Sequence, residues 1–237
     1  MSFLILVRHG QSTWNLENKF TGWVDVDLTD QGKSEAEKAG SLIKSQNIKI
    51  GHYYSSFQLR AIHTMEIIKK ILNENSDFIK AWQLNERHYG ALTGLNKIEM
   101  AKKIGEDKVH EFRRSWDKRP DSLSADSPYH PQNIKIYKKL PKEVIPDTES
   151  LKDTYERVFK YFISEVKNKL FKENILIAAH GNSIRALCKY LFKLDNEQIS
   201  KLEIPTGNPL VIQFNENLEI KNSKYLDKER AKSLLVF

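Results

Sequence analysis

The sequence has few of the features that mark secreted or membrane proteins. Its 237 residues include one cysteine, Cys188, which cannot form a disulfide within the chain. The longest apolar runs, such as Phe3–Val7 and Ile175–Ala179, are too short to cross a bilayer. Phe3–Val7 also lacks the basic flank and the length of a secretion signal. We therefore expect a cytoplasmic protein without membrane segments.

Common metal and nucleotide motifs are missing as well. The sequence contains no HExxH, no CxxC and no local carboxylate cluster, so we predict a site without metal. It also lacks GxxxxGK[ST], which argues against nucleotide hydrolysis of the P-loop type.

Basic residues outnumber acidic ones, with a formal charge of +7 and a pI near 9.2. This balance favours anionic partners, either nucleic acid or a small phosphorylated metabolite. The basic residues form no dense run and no glycine-arginine repeat, so charge alone does not decide between the two.

Apolar spacing predicts strands that alternate with helices. Strands are expected at Phe3–Val7, around Tyr53 and Tyr54, at Ile175–Ala179 and at Leu210–Phe214. Helices are expected after Thr29, from Leu59 to Ile71, after Ser150 with Asp153 as its capping partner, and from about Ser183 to Phe192. Such alternation is typical of an α/β sandwich, with continuous apolar strands buried on both faces.

No internal repeat or linker divides the chain, so we predict one domain over residues 1–237. Five prolines between 119 and 147 predict a long irregular excursion.

Two of the predicted buried strands end in a histidine and a glycine. Arg8-His9-Gly10 follows the first, and His180-Gly181-Asn182 follows the later one. Ligands of open α/β sheets bind at the carboxyl ends of the strands, and a following helix can direct N–H groups at a phosphate. We expect the glycines to let the backbone approach a ligand and the histidines to take part in phosphoryl transfer. A hydrogen-bonded structural histidine is the alternative for either one alone.

Several longer motifs resemble one family, the cofactor-dependent phosphoglycerate mutases. They occur in order over roughly residues 3–225 and are LVRHGQSTWN, FTGW at 20–23, LNERHYGALTGLNK at 84–97, the arginine pair at 113–114, AHGNSIRAL around His180 and IPTGNPL at 204–210. The motif at 84–97 discriminates best, because the wider histidine phosphatase superfamily shares RHG but generally not this one. The resemblance implies a mostly parallel sheet flanked by helices on both faces, with one short antiparallel edge strand.

The resemblance also implies roles for individual residues. His9 would accept the phosphoryl group, His180 would stabilise it in transfer, and Glu86 would be the general acid and base. The catalytic set would include Arg8 and Arg60. The substrate-binding set would share Arg8, Arg60 and Glu86 and add Asn15, Thr21, Gly22, Arg87, His88, Tyr89, Lys97, Arg113, Arg114, Gly181 and Asn182.

The implied activity is the interconversion of 2-phosphoglycerate and 3-phosphoglycerate, primed by 2,3-bisphosphoglycerate as phosphoryl donor, without metal, in a homodimer or larger homo-oligomer. A histidine phosphatase or a bisphosphoglycerate synthase on the same fold is the alternative, and a basic nucleic-acid-binding protein is a rival from another class. The chain departs from the family at Asn208, where a small apolar residue is usual, and in a short tail at about 226–237 that differs from the family's longer basic tail.

Overall fold

The computed structural model describes residues 1–231 and has a six-stranded sheet at its centre. The strand order is β3-β2-β4-β1-β5-β6. The strands are β1 (Ser2–Arg8), β2 (Ile50–Ser55), β3 (Ile79–Lys80), β4 (Asn174–Ala179), β5 (Leu210–Phe214) and β6 (Ile220–Tyr225). β1 to β4 are mutually parallel, which confirms the predicted mostly parallel sheet.

Helices cover both faces of this sheet. They are α1 (Thr13–Leu16), α2 (Asp30–Lys44), α3 (Leu59–Leu72), α4 (Lys97–Ile104), α5 (Glu106–Arg114), α6 (Leu151–Tyr161), α7 (Gly181–Leu191) and α8 (Asn196–Lys201). None of the helices within residues 1–231 is long and apolar enough to span a bilayer.

Strand β1 shows why the core has two halves. Leu4 and Leu6 join the cluster that contains residues of α6 and α7, whereas Ile5 and Val7 join the cluster that contains residues of α2 and α3. Successive side chains of a strand point to opposite faces, so an unbroken apolar run fits a strand buried on both sides. The prediction of helices on both faces is confirmed.

The antiparallel part of the sheet differs from the expectation. β5 runs against β1, but it lies inside the sheet, because β6 pairs with its other side. The edge position predicted for the antiparallel strand was therefore wrong. β6 was not predicted because it is mostly polar, and only Ser223 and Tyr225 of it are buried.

The helix starts agree with their capping signals. Thr29 accepts the Gly32 N–H at the start of α2, and Ser150 and Asp153 form the predicted capping box of α6. After Tyr161 the chain continues through a π turn at Phe162–Val166 and a 3-10 turn at Lys167–Phe171.

The segment from 119 to 147 has little regular structure. It contains only 3-10 turns, at Pro131–Asn133, Lys135–Tyr137 and Lys142–Val144. Tyr137 anchors this segment to the rest of the fold, because its side chain is buried and its hydroxyl donates to the Trp23 carbonyl over 2.8 Å.

Candidate active site

The carboxyl ends of β1 and β4 bring two histidines together. Arg8 pairs with Ala179 in the parallel register, and the His9 N–H donates to the Ala179 carbonyl over 2.9 Å. The rings of His9 and His180 are consequently in contact, with centroids 4.9 Å apart and planes inclined by 60°. Both side chains are buried.

The ring of His9 is held in one tautomer. Its Nδ1 lies 2.7 Å from the Gly10 carbonyl oxygen, which can only accept, so Nδ1 carries the hydrogen. The lone pair then resides on Nε2. Burial, followed by the charges of Arg60 and Arg8, holds the pKa of His9 well below its usual range. His9 is therefore a neutral imidazole at physiological pH and is competent as a nucleophile.

His180 is held by a residue that the sequence did not reveal. Its Nε2 lies 2.7 Å from the hydroxyl of Ser56, which directly follows β2, and its Nδ1 is buried without a partner in residues 1–231. Burial and Arg60 hold the pKa of His180 well below its usual range. Nothing in the local sequence around Ser56 marks it, because the contact depends on β2 lying beside β4.

Two arginines face this histidine pair and are fixed by backbone carbonyls. Arg8 donates through Nη1 to Ile204 over 2.7 Å. Arg60 donates through Nη1 to Val24 and through Nη2 to Gly22, both over 2.9 Å. Burial lowers the pKa of both guanidinium groups, and the Glu86 carboxylate opposes that effect. Both cations are thus oriented before any ligand arrives.

The Glu86 carboxylate lies at the start of α7. Its Oε1 accepts the backbone N–H groups of Arg87, over 2.7 Å, and Asn182, over 3.2 Å. The N-terminus of α7 therefore faces a carboxylate of the protein. One carboxylate oxygen is fixed by two donors.

Further polar side chains of the site come from three different segments. The Asn182 amide donates to the Tyr89 hydroxyl over 3.1 Å. Burial tends to raise the pKa of Tyr89, but Arg87 and Arg113 together lower it. Burial lowers the pKa of Lys97, the first residue of α4, against the opposing effect of Tyr89.

The arginine pair at the end of α5 has two different environments. Arg114 forms an ion pair with Glu203, and its Nη1 also approaches the Leu202 carbonyl at 3.4 Å. Arg113 forms no hydrogen bond or ion pair with any of residues 1–231, which leaves its guanidinium available to an anion.

These groups enclose one cavity, and most of the predicted site residues line it. The predicted residues on its wall are Arg8, His9, Asn15, Thr21, Arg60, Glu86, Tyr89, Lys97, Arg113, Arg114, Gly181 and Asn182. Three wall residues were missed: Arg185, Glu203 and Ile204. His180 is off the wall and reaches the site through His9.

Three other predicted binding residues are also off the wall. Arg87 is fully buried, with its guanidinium 4.6 Å from the Tyr89 ring centre and its Nη2 donating to Phe112. Gly22 contributes the carbonyl that accepts from Arg60. His88 accepts the Gly90 N–H through Nδ1 over 3.0 Å, and burial lowers its pKa to about 3. Gly22 and Arg87 thus contact the wall residues Arg60 and Tyr89 without lining the cavity.

Packing against α2 explains the glycine at position 10, whereas we expected it to let the backbone approach a ligand. A β-carbon on Gly10 would lie 2.1 Å from the Gly32 carbonyl oxygen, and one on Gly32 would lie 2.1 Å from the Gln11 oxygen. The two glycines let the loop after β1 press against the first turn of α2. The helix after this loop, α1, is a single turn in which the Thr13 N–H donates to the Asp27 carbonyl and the Asn15 N–H donates to the Ser12 side chain.

Asn208 has a definite structural role. Its amide donates to the Asp227 carbonyl over 3.0 Å and its Oδ1 accepts the Asp227 N–H over 3.0 Å. Arg230 donates to the Thr206 carbonyl over 2.6 Å. Residues 226–231 are thereby tied to the 204–209 segment. The rest of the tail predicted at about 226–237, residues 232–237, lies outside the described residues.

Within residues 1–231, no three or more histidine, cysteine, aspartate or glutamate side chains are grouped so that they could hold a metal ion.

Comparisons with known proteins show which family this chain resembles. The model of the histidine phosphatase superfamily (branch 1) matches residues 4–130 and 122–222. A protein of Pelagibacter ubique (strain HTCC1062), named 2,3-bisphosphoglycerate-dependent phosphoglycerate mutase, is 66% identical over 238 residues and 100% of both chains. A Hydrogenobaculum protein of the same name is 49% identical over 99% of this chain and 96% of its own. The similarity to the Pelagibacter protein thus extends beyond residue 225, where the recognised motifs stop.

Solved structures share the fold at low identity. A putative alpha-ribazole-5'-P phosphatase from Escherichia coli K-12 has a TM-score of 0.68 at 17% identity, covering 100% of this chain and 98% of its own. The alpha-ribazole phosphatase from Shigella flexneri has a TM-score of 0.67 at 18% identity, with 94% of both chains covered. At this identity the likeness concerns architecture alone.

Proposed function

This chain belongs to the 2,3-bisphosphoglycerate-dependent phosphoglycerate mutases of the histidine phosphatase superfamily, and on that premise we propose how its own residues perform the reaction. The activity is the interconversion of 2-phosphoglycerate and 3-phosphoglycerate. The proposed route passes through a phosphoryl group on Nε2 of His9.

The observation that carries this route is the hydrogen bond from Nδ1 of His9 to the Gly10 carbonyl. It leaves the lone pair on Nε2 of a ring that lines the cavity. An attack by Nε2 on phosphorus forms the N–P bond while the bond from phosphorus to the substrate oxygen breaks. The bond from Nδ1 to Gly10 then stabilises the positive charge that develops on the ring.

Unused donors in the cavity support binding of the bisphosphorylated cofactor. Arg113 has no hydrogen-bond or ion-pair partner among residues 1–231, and Nε of Arg8 is buried without an acceptor, so donors are left over for an anion. When bound, 2,3-bisphosphoglycerate supplies the phosphoryl group that primes His9. Arg8 and Arg60 would hold the phosphate next to His9, whereas Arg113, Arg114 and Lys97 would hold the other anionic groups.

Glu86 is the proposed proton carrier. As a substrate hydroxyl attacks the phosphorus of phosphohistidine, its proton passes to the Glu86 carboxylate. When the other phosphoryl group returns to His9, the departing oxygen takes that proton back. The two N–H donors on Oε1 hold the carboxylate in place for both steps, and the cycle leaves Glu86 unchanged.

The test is the identity of the phosphorylated atom. Incubation with ³²P-labelled 2,3-bisphosphoglycerate should give an acid-labile, base-stable phosphoenzyme, and peptide mapping should place the label on His9. The His9→Asn variant should take up no label. Label on His180, or label retained by His9→Asn, would refute the route.

A second measurement separates the mutase from a phosphatase. With chelator present, 3-phosphoglycerate should be converted to 2-phosphoglycerate, and conversion should accelerate when 2,3-bisphosphoglycerate is added. Release of inorganic phosphate at the rate of substrate loss would instead indicate a phosphatase.

Cellular location and assembly are further parts of the proposal. By family resemblance, a cytoplasmic homodimer or larger homo-oligomer is proposed. Light scattering on the protein as it elutes from a size-exclusion column would measure the mass of the particle. A monomer at micromolar concentration would contradict the proposed oligomer.

A further inference from the structure

Arg185 lies one turn into α7 and lines the cavity, yet the catalytic scheme above does not use it. Its side chain is almost fully buried. Nη1 donates to the Asn182 Oδ1 over 2.9 Å, and Nη2 donates to the Ile199 carbonyl and approaches that of Arg114 at 3.5 Å. One guanidinium therefore joins α7 to the end of α5 and to α8.

The first consequence concerns the orientation of Asn182. A guanidinium only donates, so the amide oxygen must face Arg185 and the amide nitrogen must face away from it. That nitrogen donates to the Tyr89 hydroxyl, while the backbone N–H of the same residue donates to Glu86. Arg185 thus fixes the residue that contacts both Tyr89 and the proposed proton carrier.

The second consequence concerns the arginines of the cavity. The segment that follows α8 provides the carbonyls that hold Arg114, at Leu202, and Arg8, at Ile204. Arg185 is hydrogen-bonded to the Ile199 carbonyl within α8 and lies near the Arg114 carbonyl. It therefore holds this segment against the end of α5.

The third observation concerns charge. Within residues 1–231 no carboxylate forms an ion pair with Arg185, and its buried Nε has no acceptor. Glu203, the acid on the cavity wall near it, is already paired with Arg114. A buried cation without a counter-charge is unfavourable, and here burial and then Arg114 lower the pKa of Arg185 to about 9. An anion in the cavity would provide the missing negative charge.

We propose that Arg185 is a positioning residue of this enzyme: it orients Asn182 and the Arg114 segment, and the anionic substrate, in place of a protein carboxylate, balances its charge. The inference rests on the proposed function and extends it to a residue outside the recognised set.

The experiment compares Arg185→Gln and Arg185→Lys with a control on the same helix, Lys189→Gln. The Lys189 ammonium donates to the Leu194 carbonyl and the Asn196 side chain and is not on the cavity wall. For each, kcat and KM for 3-phosphoglycerate are measured, together with the rise in Tm that inorganic phosphate produces. Each kcat is calculated from the concentration of folded protein in the assay.

Arg185→Gln should lower kcat/KM by about ten- to a hundredfold, as expected for loss of a hydrogen-bonded charged group. Its rise in Tm with phosphate should be smaller than that of the wild type. Arg185→Lys keeps the charge but not the planar set of donors, so it should retain most of the rise in Tm while kcat still falls. Lys189→Gln should match the wild type in all three quantities.

Combination with Asn182→Ala tests the route of the effect. If Arg185 acts through Asn182, the double variant should be little worse than Asn182→Ala alone. Fully additive losses would overturn the proposal. So would an Arg185→Gln variant that loses only Tm, with wild-type kcat, KM and phosphate response. If the wild type itself lacked mutase activity, the proposed function would fail, whereas the phosphate response would still report on Arg185.

Discussion

The carboxylate of Glu149 accepts two hydrogen bonds from the guanidinium of Arg157, with Nε to Oε1 at 2.7 Å and Nη2 to Oε2 at 2.9 Å. Only 9% of the Arg157 side chain and 6% of the Glu149 side chain are exposed. The same guanidinium donates to backbone carbonyls of the 83–86 segment, and Glu149 accepts the His88 N–H. This buried ion pair therefore holds the segment that carries Glu86.

Glu149→Gln should destabilise the protein strongly, because it leaves the Arg157 charge buried and unbalanced. We expect a loss of about 3–5 kcal/mol in the free energy of unfolding. The matched control is Arg119→Gln, which breaks the ion pair with Asp153 at a side chain that is 57% exposed. That change should cost below about 1 kcal/mol. Urea unfolding measures both, and equal losses would contradict the assigned difference.

Glu86→Gln should act on turnover far more than on binding. The amide cannot accept the substrate proton, so kcat should fall by about 10²–10⁴-fold while KM changes little. Glu203→Gln alters the other carboxylate of the cavity, which is paired with Arg114, and should mainly change KM. A larger kcat loss in Glu203→Gln than in Glu86→Gln would mean that the proton carrier has been misassigned.

Stability should decline in mild acid, partly because of His88. Burial, and next the neighbouring His130, lower its folded-state pKa to about 3, whereas the unfolded chain takes up the proton near its usual value of 6.5. The unfolded state thus binds more protons between these values, and stability falls as pH drops below about 6.5. For His88 the loss at pH 5 is about 2 kcal/mol.

His88→Gln should remove that share of the pH dependence. Urea unfolding at pH 7 and pH 5 should show a smaller decrease in the variant than in the wild type. His110→Gln, at an exposed position of α5, should leave the decrease as it is in the wild type. Equal decreases in His88→Gln and the wild type would show that His88 is not the source.

Gly10→Ala should disrupt the fold around His9. Its β-carbon would overlap the Gly32 carbonyl oxygen at 2.1 Å, and backbone cannot yield as a flexible side chain can. We expect a loss of about 3 kcal/mol or more. Gly181→Ala is the control for stability, since its β-carbon would meet Arg8 and Glu86 at 3.6–3.8 Å, an ordinary contact. A wild-type Tm in Gly10→Ala would disprove the packing role.

Elements buried on a long apolar face could be predicted from the sequence. β1 and β4 read as unbroken apolar runs because helices cover both faces, and α6 was marked by its capping pair. The elements that were missed bury little: α4 has no buried residue, and α5 buries only Val109. Each contributes only a few apolar side chains to a small cluster, so the apolar pattern is weak.

Motifs in the sequence pointed to residues that the fold brings together. His9, Glu86 and the arginine pair, which the family resemblance had singled out, line one cavity, and their roles stay predictions. Arg185, Glu203 and Ser56 were missed because their roles arise between elements that are far apart in sequence. Arg87 and His88 belong to the recognised motif, but their side chains turn away from the cavity. The order of residues in a motif does not predict the direction of each side chain.

Cys188 is fully buried in α7, and burial raises the pKa of its thiol to about 12, so the native chain presents almost no reactive thiolate. Meanwhile β5 begins beside Leu6 and ends beside Ser2, which puts the turn after it at the end of the sheet away from the histidines. A cysteine introduced there at exposed Glu216 would be the one position to react with a maleimide dye. The enzyme could thus carry a fluorophore for single-molecule work without altered chemistry at His9.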